Sequence, residues 1–194
     1  MLRLTKTMRI GSFHRRRDVF DGILRLVILA MLVVPLAAWS AQKLMAEPAP
    51  DFALKSFAGD NLRLSEYRSE VVLVNFWADW CGRCRPQLTV IDALYAEQRA
   101  HGFKVLSINI DEDSTKARKT VADLRLQFPV LSDDQKHVSR LYDLETTPVM
   151  VLIDAHGIVR NVHKGYESGD EQVYRSELAA LLVERCGRNR CSDD

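Results

Sequence analysis

The sequence lacks internal repeats and low-complexity tracts, and beyond residue 46 it also lacks a basic stripe. The absence of repeats excludes a solenoid, and a composition that is 47% hydrophobic and 27% charged is ordinary for a globular protein. The net charge is +1, but residues 1–46 carry eight Lys or Arg and two Asp, so the remainder carries −5. Because nucleic-acid binding requires positive charge against phosphates, this acidic part argues against a nucleic-acid partner. A chain of 194 residues allows one buried domain with a modest extension.

The positive charge near the N-terminus precedes a short apolar run. Arginines at 15–17 are followed by the apolar residues 26–39. This order is typical of an export signal, although the run is short of the roughly 20 residues of a comfortable membrane span. Ala38 and Ser40 flank Trp39 instead of forming a clean Ala-x-Ala site, so cleavage and retention as a membrane anchor both stay open. In either case the basic flank stays inside, which predicts a periplasmic or other extracytoplasmic location for the acidic part.

The sequence Glu-Pro-Ala-Pro at 47–50 marks the entry into the folded domain, because two prolines exclude a regular helix or a central strand. We therefore assign residues 1–46 to a signal peptide or membrane anchor with a short linker. Residues 47–185 form the folded domain, and residues 186–194 form a cysteine-containing C-terminal tail.

Hydrophobic periodicity predicts an α/β domain. Residues 52–54 and 62–64 alternate around a Gly-Asp-Asn turn, which indicates a β-hairpin, and the apolar run 71–77 indicates a strand buried on both faces. Ser114 is the expected N-cap of one helix. The order along the chain predicts a central mixed sheet covered by helices on both faces. The other predicted strands lie at 105–110, 148–153 and 158–163, and the predicted helices lie around 88–95, 117–124, 138–142 and 174–182.

Cys81 and Cys84 lie between the predicted strand 71–77 and the helix that follows it. Free backbone N–H groups and the helix dipole favour negative charge at such a junction, so we expect Cys81 to be a thiolate, with a pKa of roughly 3.5–7.5 as in comparable motifs. Cys84 is expected to be more buried and to act as the resolving thiol. Cys81 would attack a substrate disulfide and Cys84 would then release the reduced substrate, or the reverse sequence would oxidise it. This chemistry needs no metal or organic cofactor.

Metal binding is the rival hypothesis for this pair. Zinc would need four ligands, and the second pair, Cys186 and Cys191, follows the last predicted helix, far from the first pair in sequence. Copper(I) suits a pair of thiolates, so a copper-handling protein remains the alternative function, although no histidine or methionine stands nearby in a matching motif. His137, His156 and His163 lie in separate segments and are interpreted as surface or packing residues.

The residues from 74 to 85, Val-Asn-Phe-Trp-Ala-Asp-Trp-Cys-Gly-Arg-Cys-Arg, resemble the active-site signature of thioredoxins. The opening Ala-Pro-Asp-Phe at 49–52 and the Thr-Pro at 147–148 resemble the TlpA and ResA branch, whose members are extracytoplasmic and often membrane-tethered. Several of them act as reductants, including in cytochrome c maturation. The resemblance implies a thioredoxin-like fold for 47–185, protein disulfides or dithiols as substrates, and a membrane thiol reductant as electron donor.

The same resemblance assigns substrate-binding positions. Pro148 matches a cis-proline that faces the active-site cysteine in thioredoxin-like proteins, and the backbone of Thr147 would pair with an extended substrate segment. Trp80, next to Cys81, is interpreted as part of the apolar docking rim. By contrast, Trp77 is expected in the core.

Three departures from the family pattern bear on redox tuning. Arg83 replaces a common proline and adds a cation that favours the Cys81 thiolate, which should make the protein less reducing. Asn75 and Gln87 stand where relatives carry an aspartate and a glutamate, and an amide cannot act as a general base. Deprotonation of Cys84 would then use water or another group. Alternatively, both amides only satisfy buried hydrogen bonds.

The remaining cysteines, Cys186 and Cys191, are expected to close a small disulfide in an oxidising compartment. Loop-entropy reasoning gives such a bond at most roughly 2 kcal/mol. A second redox relay with the first pair remains an alternative. Asp79, close to the first pair in sequence, is interpreted as a solvated surface charge.

Overall fold

A computed structural model describes residues 44–189 and places the apolar run 71–77 at the centre of a five-stranded sheet. The strands are β1 (Ala53–Lys55), β2 (Asn61–Arg63), β3 (Val71–Trp77), β4 (Phe103–Asn109), β5 (Val130–Ser132), β6 (Val149–Ile153) and β7 (Val159–Lys164). The α-helices are α1 (Cys84–Gln98), α2 (Thr115–Leu124), α3 (His137–Leu141) and α4 (Asp170–Asn189). Short 3₁₀ turns cover Leu64–Tyr67 and Arg99–His101.

The strand order in the sheet is β5-β4-β3-β6-β7. β3 and β5 each run parallel to β4, whereas β6 runs antiparallel to both β3 and β7. β1 and β2 form a separate antiparallel hairpin. The predicted hairpin and the predicted mixed sheet are therefore confirmed.

The two faces of β3 contribute to two different halves of the core. Val71, Leu73 and Trp77 pack with apolar residues of α1 and α4, and Val72, Val74 and Phe76 pack with residues of the hairpin region and α3. All seven residues of β3 are buried, because successive side chains of a strand point to opposite faces and both faces are covered. This explains why the strand reads as an uninterrupted apolar run, and it confirms the prediction of helices on both faces.

Local details differ from the sequence predictions. Ser114 occupies the N-cap position of α2, as predicted, but its side chain makes no capping hydrogen bond within residues 44–189. The backbone N–H of Thr115 instead donates to Oδ1 of Asp113 at 2.9 Å. β5 has only three residues, too few for a periodic pattern, and was not predicted. The last helix continues to Asn189, so Cys186 lies on α4 rather than in a tail after it.

The predicted signal or anchor segment, residues 1–46, lies almost entirely outside the described residues. Within 44–189, no helix is both long enough and apolar enough to cross a membrane. The cleavage of residues 1–46, or their retention as a membrane anchor, therefore stays a prediction.

Candidate active site

One edge of the sheet gathers the residues that the sequence singles out. β3 ends at this edge and, because β6 is antiparallel to β3, β6 begins there; Phe76 is paired with Val149. Val149 is also paired with Lys164, so β7 ends at the same edge. The Cys81–Cys84 loop follows β3, and Thr147 and Pro148 precede β6. Segments about 65 residues apart in sequence are thus brought to one end of the sheet by the strand directions alone.

Cys81 and Cys84 form a disulfide at this edge, with an S–S distance of 2.15 Å and a Cα–Cα distance of 5.4 Å. α1 begins at Cys84, so Cys81 precedes the helix, and the Cys84 N–H donates to the Cys81 carbonyl at 3.1 Å. Cys84 is completely buried, whereas 7% of Cys81 remains exposed. The more exposed cysteine is therefore the one that stands in front of the helix.

The start of α1 is electropositive. The helix N-terminus carries the positive end of the backbone dipole. The N-cap residue Arg83 and the first-turn residue Arg85 add two guanidinium groups, of which that of Arg85 is paired with Asp123, with 3.8 Å between Nη2 and Oδ2. The Arg83 side chain extends toward the end of β7: a Cβ added to Gly165 would lie 3.9 Å from Nη1 of Arg83. A negative charge that develops on Cys81 would form in this positive environment.

The predicted substrate-binding residues differ in exposure. Trp80 is 72% exposed, while Pro148 is buried and Thr147 is half-buried. The Thr147–Pro148 peptide bond is cis, and the Pro148 carbonyl accepts a hydrogen bond from the Gly165 N–H at 2.7 Å. Trp77 is fully buried in the core. An exposed indole ring thus stands directly before the disulfide.

The two amides that the sequence analysis assigned to redox tuning, Asn75 and Gln87, are both fully buried. Neither Nδ2 nor Oδ1 of Asn75 has a hydrogen-bond partner among the described residues. Gln87 Nε2 donates to the hydroxyl of Tyr174 at 3.3 Å, whereas its Oε1 lacks a partner within residues 44–189. Gln87 lies on α1 three residues after Cys84, a spacing that puts the two side chains on the same face of the helix.

Tyr174, on α4, was not recognised from the sequence as part of the site. Burial raises the pKa of its hydroxyl, so the group keeps its proton at neutral pH. The ring of His163 packs edge-on against the Tyr174 ring with a centroid distance of 5.0 Å, and His163 Nε2 lies 2.7 Å from a carboxylate oxygen of Glu177. His163 on β7, together with Glu177 on α4, therefore holds the ring of Tyr174, whose hydroxyl contacts Gln87.

A second set of residues, which the sequence did not indicate, holds the segment before Cys81 through hydrogen bonds. The Asp79 N–H donates to Oδ2 of Asp111 at 2.8 Å, and Asn109 Nδ2 donates to the same oxygen at 2.8 Å. The hydroxyl of Thr120 donates to Oδ1 of Asp79 at 2.7 Å. Asp79 is half-buried and hydrogen-bonded, so its interpretation as a solvated surface charge is wrong. The cause is tertiary: the partners come from the end of β4 and from α2.

Replacing Asp111 with alanine is expected to lower the free energy of unfolding by about 2 kcal/mol, because the buried donors of Asp79 and Asn109 lose their acceptor. The rate of insulin-disulfide reduction should also fall, because Asp111 holds the backbone of Asp79, and the next residue is the proposed docking residue Trp80. Urea denaturation and the insulin assay measure the two effects. Asp134→Ala is the control, because it removes an exposed carboxylate on the turn before α3. Equal losses in the two variants would contradict a specific role for Asp111.

The remaining cysteines are placed only in part. Cys186 is half-buried on α4 and is disulfide-bonded, whereas Cys191 lies outside the described residues, so their pairing stays a prediction. Over the described range, no group of three or more His, Cys, Asp or Glu side chains is arranged to hold a metal ion.

Comparison with known proteins places these features in a family. Residues 45–162 match the AhpC/TSA family. A thiol-disulfide oxidoreductase ResA from Geobacillus kaustophilus (strain HTA426) is 33% identical over 117 residues, which cover 60% of this chain and 67% of the relative. ResA from Geobacillus thermodenitrificans (strain NG80-2) is 30% identical over 151 residues, which cover 74% of this chain and 87% of the relative.

A solved structure supports the same assignment. A Chlorobium tepidum protein assigned as the thiol:disulfide interchange protein DsbE has a TM-score of 0.68 and 33% sequence identity, covering 71% of this chain and 97% of that protein. The expected thioredoxin-like fold is confirmed. With its close cysteine pair, the chain belongs to the AhpC/TSA family and is a thiol-disulfide oxidoreductase of the ResA and DsbE type.

Proposed function

We propose that the Cys81-Gly-Arg-Cys84 segment exchanges disulfides with exported protein substrates and that the chain acts as a reductant. The observation that carries the proposal is the Cys81–Cys84 disulfide at the positive start of α1, with only Cys81 partly exposed. A close pair in which one cysteine is partly exposed and the other is buried suits two-step exchange.

In the proposed cycle, the Cys81 thiolate attacks one sulfur of a substrate disulfide. The substrate S–S bond breaks, a Cys81–substrate disulfide forms, and the second substrate sulfur leaves as a thiolate that takes up a proton. Cys84 then loses its proton and attacks the Cys81 sulfur, which forms the Cys81–Cys84 disulfide and expels the remaining substrate thiolate. Two electrons pass from the dithiol to the substrate.

The extended segment of the substrate protein is proposed to bind to Trp80, Thr147 and Pro148. Trp80 offers an exposed apolar ring beside Cys81. The backbone of Thr147 lies at the start of β6, at the same sheet edge, where an extended peptide could pair as an added strand. Backbone pairing would accept many sequences, which fits a reductant of several proteins.

The redox equilibrium and reactivity of the Cys81–Cys84 pair are proposed to depend on Arg83, Asn75 and Gln87. The Arg83 guanidinium favours the Cys81 thiolate, which makes the disulfide easier to reduce than with a proline at this position. Asn75 and Gln87 provide no base for the Cys84 proton. The second step, release of the substrate, should therefore limit turnover.

The proposed location is outside the cytoplasmic membrane, with residues 1–46 as signal or anchor. A dithiol in an oxidising compartment persists only if a donor keeps reducing it, so a membrane thiol reductant is the proposed partner. Cytochrome c maturation is one pathway that requires such a reductant.

The direction of electron flow is tested by trapping free thiols with an alkylating reagent in intact cells. Most of the Cys81–Cys84 pair should be alkylated at steady state, and the alkylated fraction should fall when the membrane donor is inactivated. A pair that is fully oxidised in growing cells contradicts the reductant assignment, though not the exchange chemistry. The double variant Cys186→Ser/Cys191→Ser is the control, since it removes both other cysteines and leaves the pair as the sole source of alkylatable thiols.

A further inference from the structure

We infer that Tyr174 positions the side-chain amide of Gln87 as the hydrogen-bond acceptor for the Cys84 thiol of the reduced protein, and thereby shifts the Cys81–Cys84 couple toward the dithiol. The inference rests on the proposed exchange function of this pair. Tyr174 is a positioning residue here, because it acts on Cys84 only through Gln87.

The Gln87 amide has a fixed orientation. Its Nε2 donates to the Tyr174 hydroxyl at 3.3 Å, across 87 residues of sequence and in a fully buried setting. The Tyr174 ring is itself held by His163, at a centroid distance of 5.0 Å, and by Tyr166, at 6.5 Å. With the nitrogen committed to Tyr174, the carbonyl oxygen must point elsewhere.

The carbonyl oxygen is the acceptor end of this amide. Gln87 Oε1 is buried and finds no hydrogen-bond partner in the part of the chain that the structure describes. Cys84 is also completely buried and lies three residues earlier on α1, a spacing that places two side chains next to each other on a helix. In the disulfide, the Cys84 sulfur has no proton to donate.

Reduction supplies the missing donor. When two glutathione molecules reduce the pair, the protein S–S bond breaks, oxidised glutathione forms and two electrons enter the protein. Of the two protons that the glutathione thiols lose, one goes to Cys84 and the other goes to Cys81 or to solvent. The Cys84 S–H group can then donate to Gln87 Oε1. Because the oxygen gains a partner only in the dithiol, the interaction stabilises the reduced state and leaves the oxidised state unchanged.

The test is the equilibrium of the Cys81–Cys84 pair with glutathione at pH 7. Tyr174→Phe should lower the equilibrium constant for reduction by about threefold to tenfold, where tenfold corresponds to about 30 mV. Gln87→Leu should lower it at least as much. In the Gln87→Leu background, Tyr174→Phe should have no further effect, because the residue through which Tyr174 acts is gone.

Tyr142→Phe is the matched control, since it removes a buried tyrosine hydroxyl that donates to the Pro50 carbonyl at 2.9 Å on the other face of the sheet. It should lower stability while leaving the glutathione equilibrium unchanged. An unchanged equilibrium in either Gln87→Leu or Tyr174→Phe, or a shift toward the dithiol in Tyr174→Phe, would overturn the inference. If instead the unmodified protein does not exchange with glutathione at all, the proposed function fails.

Discussion

Replacing Cys81 with serine is expected to reduce the rate of insulin-disulfide reduction by about a thousandfold or more. The thiolate is the nucleophile of disulfide exchange, and a serine hydroxyl at this position remains protonated at pH 7. Loss of a nucleophile removes the whole exchange pathway and not just a fraction of the rate. The turbidity of reduced insulin measures the effect.

The control for this prediction is Cys186→Ser, which alters a cysteine on α4 without changing the active-site pair. Its rate should stay within about twofold of the unmodified protein, because no step of the exchange uses Cys186. A loss comparable to that of Cys81→Ser would favour the alternative in which the second cysteine pair relays electrons to the first.

The second large effect is expected from Asn75→Asp, which places a carboxyl group in a fully buried position without a hydrogen-bond partner among residues 44–189. Burial disfavours the charged form and raises the pKa of the new carboxyl by several units above its unfolded value of about 3.9. A group whose pKa is raised by folding contributes stability below its unfolded pKa and loses it as the pH rises toward the folded value. The free energy of unfolding should therefore fall, relative to the unmodified protein, by about 1.4 kcal/mol per pH unit above pH 4.

Urea denaturation between pH 4 and pH 8 measures this slope, and the deficit should reach about 4 kcal/mol by pH 7. Asn75→Leu is the control: it has no titrating group, so its difference from the unmodified protein should not vary with pH. If the free energies of unfolding of Asn75→Asp and of the unmodified protein change with pH in the same way, the carboxyl group is hydrated and the prediction is wrong. Above its raised pKa, the new carboxylate should also accept the Cys84 proton and speed substrate release.

The fold was largely predictable because its central strand is buried on both faces. The run from Val71 to Trp77 is short and rich in branched and aromatic residues, which favours a strand over a helix, and its near-continuous apolar character is typical of a strand covered on both faces. The hairpin was predictable from alternation around a turn. β5 was not, since three edge-strand residues carry too little pattern and are fixed by pairing with the end of β4.

The candidate site was predictable only where it is local in sequence. The Cys81–Cys84 segment lies between a strand and a helix, and strand direction alone brings Pro148 to the same edge. The contacts of Asp79 with Asp111 and of Gln87 with Tyr174 span 32 and 87 residues. Such contacts depend on how helices pack across the sheet, which short-range spacing does not encode.

The central claim is that Cys81 attacks and Cys84 resolves, and the most direct measurement is mass spectrometry of single-serine variants after incubation with a disulfide-bonded substrate peptide. Cys84→Ser should accumulate a covalent adduct on Cys81, because the second attack is blocked. Cys81→Ser should accumulate none, since its remaining active-site sulfur is fully buried. An adduct on Cys84 in the Cys81→Ser variant, together with an unmodified Cys84→Ser variant, would contradict the account.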